Sequence, residues 1–128
     1  MKIIVSNVSG IPIYEQLKQQ IKKAILSGEL AEEEMLPSLR TLAKELKISV
    51  LTVTRAYTEL EQEGYVRNIQ GRGCFVLGKD SQLLREQLVR KAEESLTDAV
   101  KAASAAGISR EELHRLLDII FEEESSDD

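Results

Sequence analysis

Apolar residues recur every three or four positions in five stretches of this chain, with two short β-like runs between the third and fourth. Ile13, Leu17, Ile21, Ala24 and Ile25 share one face of a helix opened by Pro12 and ended at Ser27-Gly28. Lys18, Lys22 and Lys23 fall outside that face and read as a solvated surface. Leu39, Leu42, Ala43 and Leu46 predict a second, short helix capped by Ser38, with Pro37 closing the loop before it. Lys47 and Ile48 make a turn, and Ser49 caps a third helix with the apolar set Val50, Val53, Ala56, Tyr57 and Leu60. Gly64 is placed to end it in a left-handed conformation. Helices joined by so short a turn cross steeply, leaving the second free to enter a major groove.

Tyr65 to Ile69 and Cys74 to Val76 read as strands around Gln70-Gly71-Arg72-Gly73, whose glycines permit positive φ at a hairpin tip. Lys2 to Val5 is a further β-like run, a strand or an arm. Past Gly78 the pattern changes. Leu84, Leu88, Ala92, Leu96, Ala99 or Val100, and Ala103 mark a long helix from Ser81 to about Ala106, which Gly107 breaks. Ser109 with Glu112 forms a capping box for a last helix carrying Leu113, Leu116, Leu117, Ile120 and Phe121, and Glu122 to Asp128 reads as a frayed acidic end. The fold class expected is mainly α with a small β-wing. A winged helix-turn-helix occupies residues 1–78 and a helical hairpin residues 79–128.

Charge sharpens this division. The chain of 128 residues carries a net charge of -5. Residues 1–78 hold ten Lys/Arg against nine Asp/Glu, giving +1, and residues 79–128 hold seven against thirteen, giving -6. The acidic excess therefore lies in the tail, while Arg40, Lys44, Lys47 and Arg55 face only Glu45 between residues 38 and 58. An ordinary helical hairpin without nucleic acid is the bland alternative; the local basicity and the glycine-tipped wing favour double-stranded DNA. Glu32-Glu33-Glu34 reads as a solvated loop rather than a metal site.

Catalysis finds no support: His114 is alone, no second His or Cys can build a transition-metal site, and no phosphate-cradling loop is present. Neither cofactor nor metal is expected. With Cys74 the only cysteine there is no intrachain disulfide. No run approaches the roughly 20 apolar residues that span a bilayer. A cytoplasmic setting without membrane contact is expected.

The motifs Pro12-Ile13-Tyr14 with Gln16-Leu17, Gly28 with Leu30, Leu36-Pro37-Ser38 with Arg40 and Leu42-Ala43, Thr52-Val53 with Arg55-Ala56-Tyr57, Leu60-Glu61 with Glu63-Gly64, and Gly71-Arg72-Gly73 occur in order. Together they resemble the N-terminal winged-helix domain of GntR-family bacterial regulators, over about Pro12 to Val76. The Arg55-Ala56-Tyr57 run and short tail are most similar to that family's YtrA-like branch. The resemblance implies that Arg40 meets DNA backbone or a base, that Thr52 and Arg55 are recognition-helix contacts, and that Gly71 and Arg72 form the wing tip. Thr54 joins these candidates, with Ser38, Lys44 and Lys47 as further phosphate contacts. Arg55 has a second reading, an ion pair with Glu59. Val50 and Leu51 stand where relatives often carry polar base-readers; they suit thymine methyls or signal an unusual sequence preference. Cys74 stands where a threonine is common, as a strand residue or, alternatively, a redox sensor.

Neither tail helix can bury its stripe alone. Leu84, Leu88, Ala92, Leu96, Val100, Leu113, Leu116, Leu117, Ile120 and Phe121 are therefore expected to form a four-helix interface with a second copy, the alternative being packing on the chain's own DNA-binding domain. These readings converge on a homodimeric, sequence-specific DNA-binding regulator recognising an inverted repeat; repression, and an operon encoding a membrane transporter, are implied by the resemblance alone. A winged-helix adaptor without specific DNA binding is the rival. A small-molecule effector, if there is one, would have to bind in the tail or at its junction with the winged helix.

Overall fold

The computed structural model describes residues 1–126. Its elements run α1 (Ile13–Leu26), α2 (Leu39–Leu46), α3 (Val50–Gln62), β1 (Val66–Ile69), β2 (Gly73–Val76), α4 (Gln82–Ala106) and α5 (Arg110–Ser126). The caps form where the sequence places them. Ser38 Oγ accepts the Thr41 amide at 3.1 Å and Ser49 Oγ accepts the Leu51 amide at 3.0 Å, each satisfying a donor the helix cannot. Between them Lys47 turns left-handed at φ +57, and the Ile48 amide closes α2 on Ala43 O at 3.0 Å.

The chain divides into two compact units, Met1–Leu88 and from Val89 onward. The first is built on α1 and α3: Leu17, Ile21 and Ile25 pack with Val53, Ala56 and Leu60, all fully buried. Tyr57 anchors α3 by donating its hydroxyl to Pro37 O at 2.8 Å. β1 and β2 pair antiparallel, with Val66 opposite Val76 and Ile69 opposite Gly73. The turn closes through the Arg72 amide on Ile69 O at 2.9 Å, with Gly71 at φ +78 in the third position, where a type II turn demands positive φ.

Several details depart from the sequence reading. Val50, at the first position of α3, is not a core residue: it is 42% exposed. Lys2 to Val5 forms no strand. Instead the N-terminal arm is clasped to α1, where the Gln20 amide exchanges hydrogen bonds with the Ile4 backbone and Gln16 does the same with Ser6. The acidic loop supplies an added wing edge: Val76 N–H donates to Glu34 O and Leu36 N–H to Cys74 O, both at 2.8 Å, around a Met35–Phe75 bridge.

Leu84 was expected at a dimer interface, but it is fully buried in the core of the first unit. The approach requires Gly64. Its φ is +86, and a Cβ there would stand 3.2 Å from Leu84 Cα. The predicted frayed end is also shorter, since α5 continues to Ser126; Asp127 and Asp128 lie outside the described residues.

In the second unit the turn after α4 closes with the Ile108 amide on Ala103 O at 2.8 Å, and Ser109 Oγ accepts the Glu112 amide at 3.1 Å. Ala103 is buried and Leu113 half-buried, whereas Leu96, Val100, Leu116, Leu117, Ile120 and Phe121 are exposed.

Of the three lysines of α1 only Lys23 is on a solvated face. Lys18 is buried and pairs with Glu59 at 2.8 Å, Glu63 at 3.0 Å and Glu15 at 3.4 Å, and Lys22 also pairs with Glu63. Burial alone would push the Lys18 pKa down, but the hydrogen bonds to Glu59 and Glu63 raise it above the ordinary lysine range. Glu59 is held below the usual carboxylate range by Lys18 and Arg55. Burial works against Glu63 in the same way, yet Lys22 and Lys18 keep its pKa low.

Both carboxylates therefore have folded pKa values below their unfolded ones. Their stabilisation is complete above the ordinary Glu value of about 4.3 and is lost as pH falls through the folded values. The urea midpoint is expected to drop as pH falls below about 4, and the Glu59→Gln/Glu63→Gln double variant should flatten that slope. Lys18→Ala, which removes the cation shared by Glu15, Glu59 and Glu63, should cost between about 1 kcal/mol for an exposed pair and roughly 3–5 kcal/mol for a buried one.

Candidate nucleic-acid interface

A cleft of about 600 Å³ opens between the start of α2 and the wing. Ser38, Leu39 and Arg40 line it from α2, and Asn68 to Gly73 from the wing. The side chains of Arg40 and Arg72 are exposed, and among the described residues neither meets a carboxylate within ion-pair distance. The first amides of α2 have no carbonyl to receive them within the helix, and its dipole puts partial positive charge at the same end. Two free guanidinium groups and a helix N-terminus around one cleft suit a phosphodiester strand.

The cleft thus gathers Ser38, Arg40, Gly71 and Arg72 from the residues the sequence singles out. Lys44 and Lys47 are exposed and free of carboxylates but lie outside its lining. Asn68 and Gln70 line it too, and sequence reasoning passed over them; their signal was their position beside Arg72 on the same hairpin.

Recognition helix α3 is more constrained than expected. Thr54 donates its hydroxyl to Val50 O at 2.8 Å. Arg55 donates Nε to Glu59 at 3.1 Å and Nη2 to the Tyr14 hydroxyl at 3.0 Å, while its guanidinium stacks 3.7 Å above the Tyr14 ring. The ion-pair reading of Arg55 is the one the geometry realises, with a cation–π contact the sequence did not disclose. Thr52 is half-buried, and among the described residues its hydroxyl has no hydrogen-bond partner. Leu51 is the most exposed side chain of the first turn.

Residues 13–76 match the family model described as bacterial regulatory proteins, gntR family. The HTH-type transcriptional repressor YtrA of Bacillus subtilis (strain 168) is 37% identical over 106 residues, which span 83% of this chain and 82% of the relative. This chain belongs to the GntR family. Among solved structures, YtrA from Sulfolobus acidocaldarius, a GntR-family transcription factor, is 36% identical with a TM-score of 0.57, covering 74% of this chain and 97% of that one. The AraR DNA-binding domain in complex with operator ORE1 is 25% identical with a TM-score of 0.50, covering 59% of this chain and 93% of its own. Both the sequence and the structural matches thus include a YtrA relative, and the relatives are regulators rather than enzymes.

Cys74 is buried in this GntR-family wing, and burial, with the Glu61 carboxylate adding to it, pushes its thiol up to about 12. A thiol so rarely ionised is a poor nucleophile near neutrality, which opposes a redox-sensing role. A fluorescent maleimide at about pH 7.5 is expected to label the native protein far more slowly than the urea-unfolded chain.

Proposed function

We propose that this regulator is a cytoplasmic homodimeric repressor that binds an inverted-repeat operator. Arg40 and Arg72 hold the phosphate backbone, and α3 is presented to the major groove. The observation carrying this reading is the pair of unpartnered arginines on opposite sides of one cleft. Of the cations of α1 and α3, Lys18 and Lys22 are committed to glutamates and Arg55 to Glu59, which leaves Lys23 exposed. Repression is supported by the Bacillus relative YtrA, a transcriptional repressor. No helix among the described residues is long and apolar enough to cross a membrane.

Dimerisation is supported by the tail. Leu96, Val100, Leu116, Ile120 and Phe121 leave a run of apolar side chains exposed, Phe121 by 66%. Apolar side chains exposed in such number often mark an interaction site, and a second copy would cover them with the same residues. Two-fold symmetry in the protein implies two-fold symmetry in the operator.

Fluorescence anisotropy against the gene's own upstream region and a scrambled duplex, at two salt concentrations, tests the reading. Preference for the upstream region with steep salt dependence is expected, and Arg40→Ala and Arg72→Ala should each lower the salt slope by about one. Equal binding to both duplexes would overturn sequence-specific regulation by the free protein. No binding even at low salt would favour the adaptor.

The Val100→Glu/Ile120→Glu double variant is expected to sediment as a monomer. Its operator affinity should fall by more than tenfold while its affinity for scrambled DNA changes little. A wild-type protein that sediments as a monomer at micromolar concentration would overturn the dimer.

A further inference from the structure

The first turn of a recognition helix is the part that meets base edges in a helix-turn-helix complex. In this chain that turn is apolar. Leu51 is 79% exposed, and Val50 beside it in the chain is partly covered but still 42% exposed. The polar groups that would ordinarily read bases are engaged elsewhere. Ser49 Oγ caps the helix, Thr54 Oγ1 is bound to Val50 O, and the Arg55 guanidinium is held by Glu59 and Tyr14. Thr52 keeps a free hydroxyl, but it is half-buried and a hydroxyl can serve either a donor or an acceptor on a base edge.

We infer that Leu51 and Val50 determine operator specificity by packing on the 5-methyl groups of thymine in the major groove. Thymine alone among the four bases presents a methyl group there, so apolar side chains discriminate it from cytosine without any hydrogen bond. Leu51 contributes more, being the more exposed. The inference rests on the reading of the chain as an operator-binding regulator.

Its test begins with selection of duplexes from a random-sequence pool by the full-length protein. A consensus with an A·T pair at one fixed position in each half-site is expected. Each thymine of the selected duplex is then replaced singly by deoxyuridine, which removes the methyl group and leaves Watson–Crick pairing intact. Loss at the read thymine should be about fourfold for the wild type, as expected for one methyl-sized group no longer buried. Leu51→Ala should abolish most of that difference while keeping the wild-type salt slope on scrambled DNA, which reports intact folding and backbone contact.

Indifference of the wild type to every deoxyuridine would overturn the inference, as would an undiminished effect in Leu51→Ala. So would a consensus lacking thymine at the positions facing the first turn. Failure to enrich any sequence would overturn the proposed function itself, and the methyl readout with it. Enrichment without methyl sensitivity would overturn the readout alone.

Discussion

Helix α3 has to be anchored along one face and free along the other, and the rest of the first unit follows from that requirement. Val53, Ala56 and Leu60 fix it against α1, and Tyr57 ties it to Pro37, just before the cap of α2. Burying a side chain of this size is worth about 1.5–3 kcal/mol, enough to hold a helix of this length that would be marginal alone in water. Leu51 lies on the opposite face and stays 79% exposed, and Val50, at the edge of the packed face, is 42% exposed. Orientation of the reading surface is thus a consequence of core packing rather than of any contact at the surface itself.

Charge is distributed by the same geometry. Lys18 and Lys22 on α1 lie against Glu59 and Glu63 near the end of α3, so the crossing is sealed by ion pairs as well as by leucine and isoleucine. Those cations are neutralised inside the fold and contribute little to a field felt by DNA. Among the described residues, the cations that reach solvent without an ion pair include Arg40 on α2, Lys47 in the turn and Arg72 at the wing tip, with Lys23 and Arg67 besides. Much of the chain's acidity lies instead opposite the lysines that face inward and in the tail. Net charge alone would have misled.

Much of this was legible because helical spacing was strict. Leu17, Ile21 and Ile25, and Val53, Ala56 and Leu60, declare their burial by period, and Ser38 and Ser49 declare their caps by type and position. Other features were hidden for a physical reason. Lys18 meets Glu59 across a separation of 41 residues, which only the crossing of α1 and α3 decides. The added wing edge hangs on one bridge at Met35, too short to alternate. Tyr14 and Arg55 stack although nothing in their local sequence pairs them. Of the candidate interface, Ser38, Arg40, Gly71 and Arg72 were legible, whereas the commitment of Arg55 and Thr54 was not, since a residue type does not reveal whether its donors are already in use.

Leu84 shows how packing moves a boundary that composition draws elsewhere. Its spacing continues that of Leu88, Ala92 and Leu96, so periodicity assigns it to the tail. Yet it is buried with Leu60 and Tyr65 in the core of the first unit, across the close approach that Gly64 permits. Releasing it to a partner would expose a leucine at a cost of about 1.5–3 kcal/mol, a large fraction of what a small domain has in hand. The start of α4 therefore belongs to the winged helix. One continuous helix carries residues of both units, so a substitution in its first turns acts on the fold of the first.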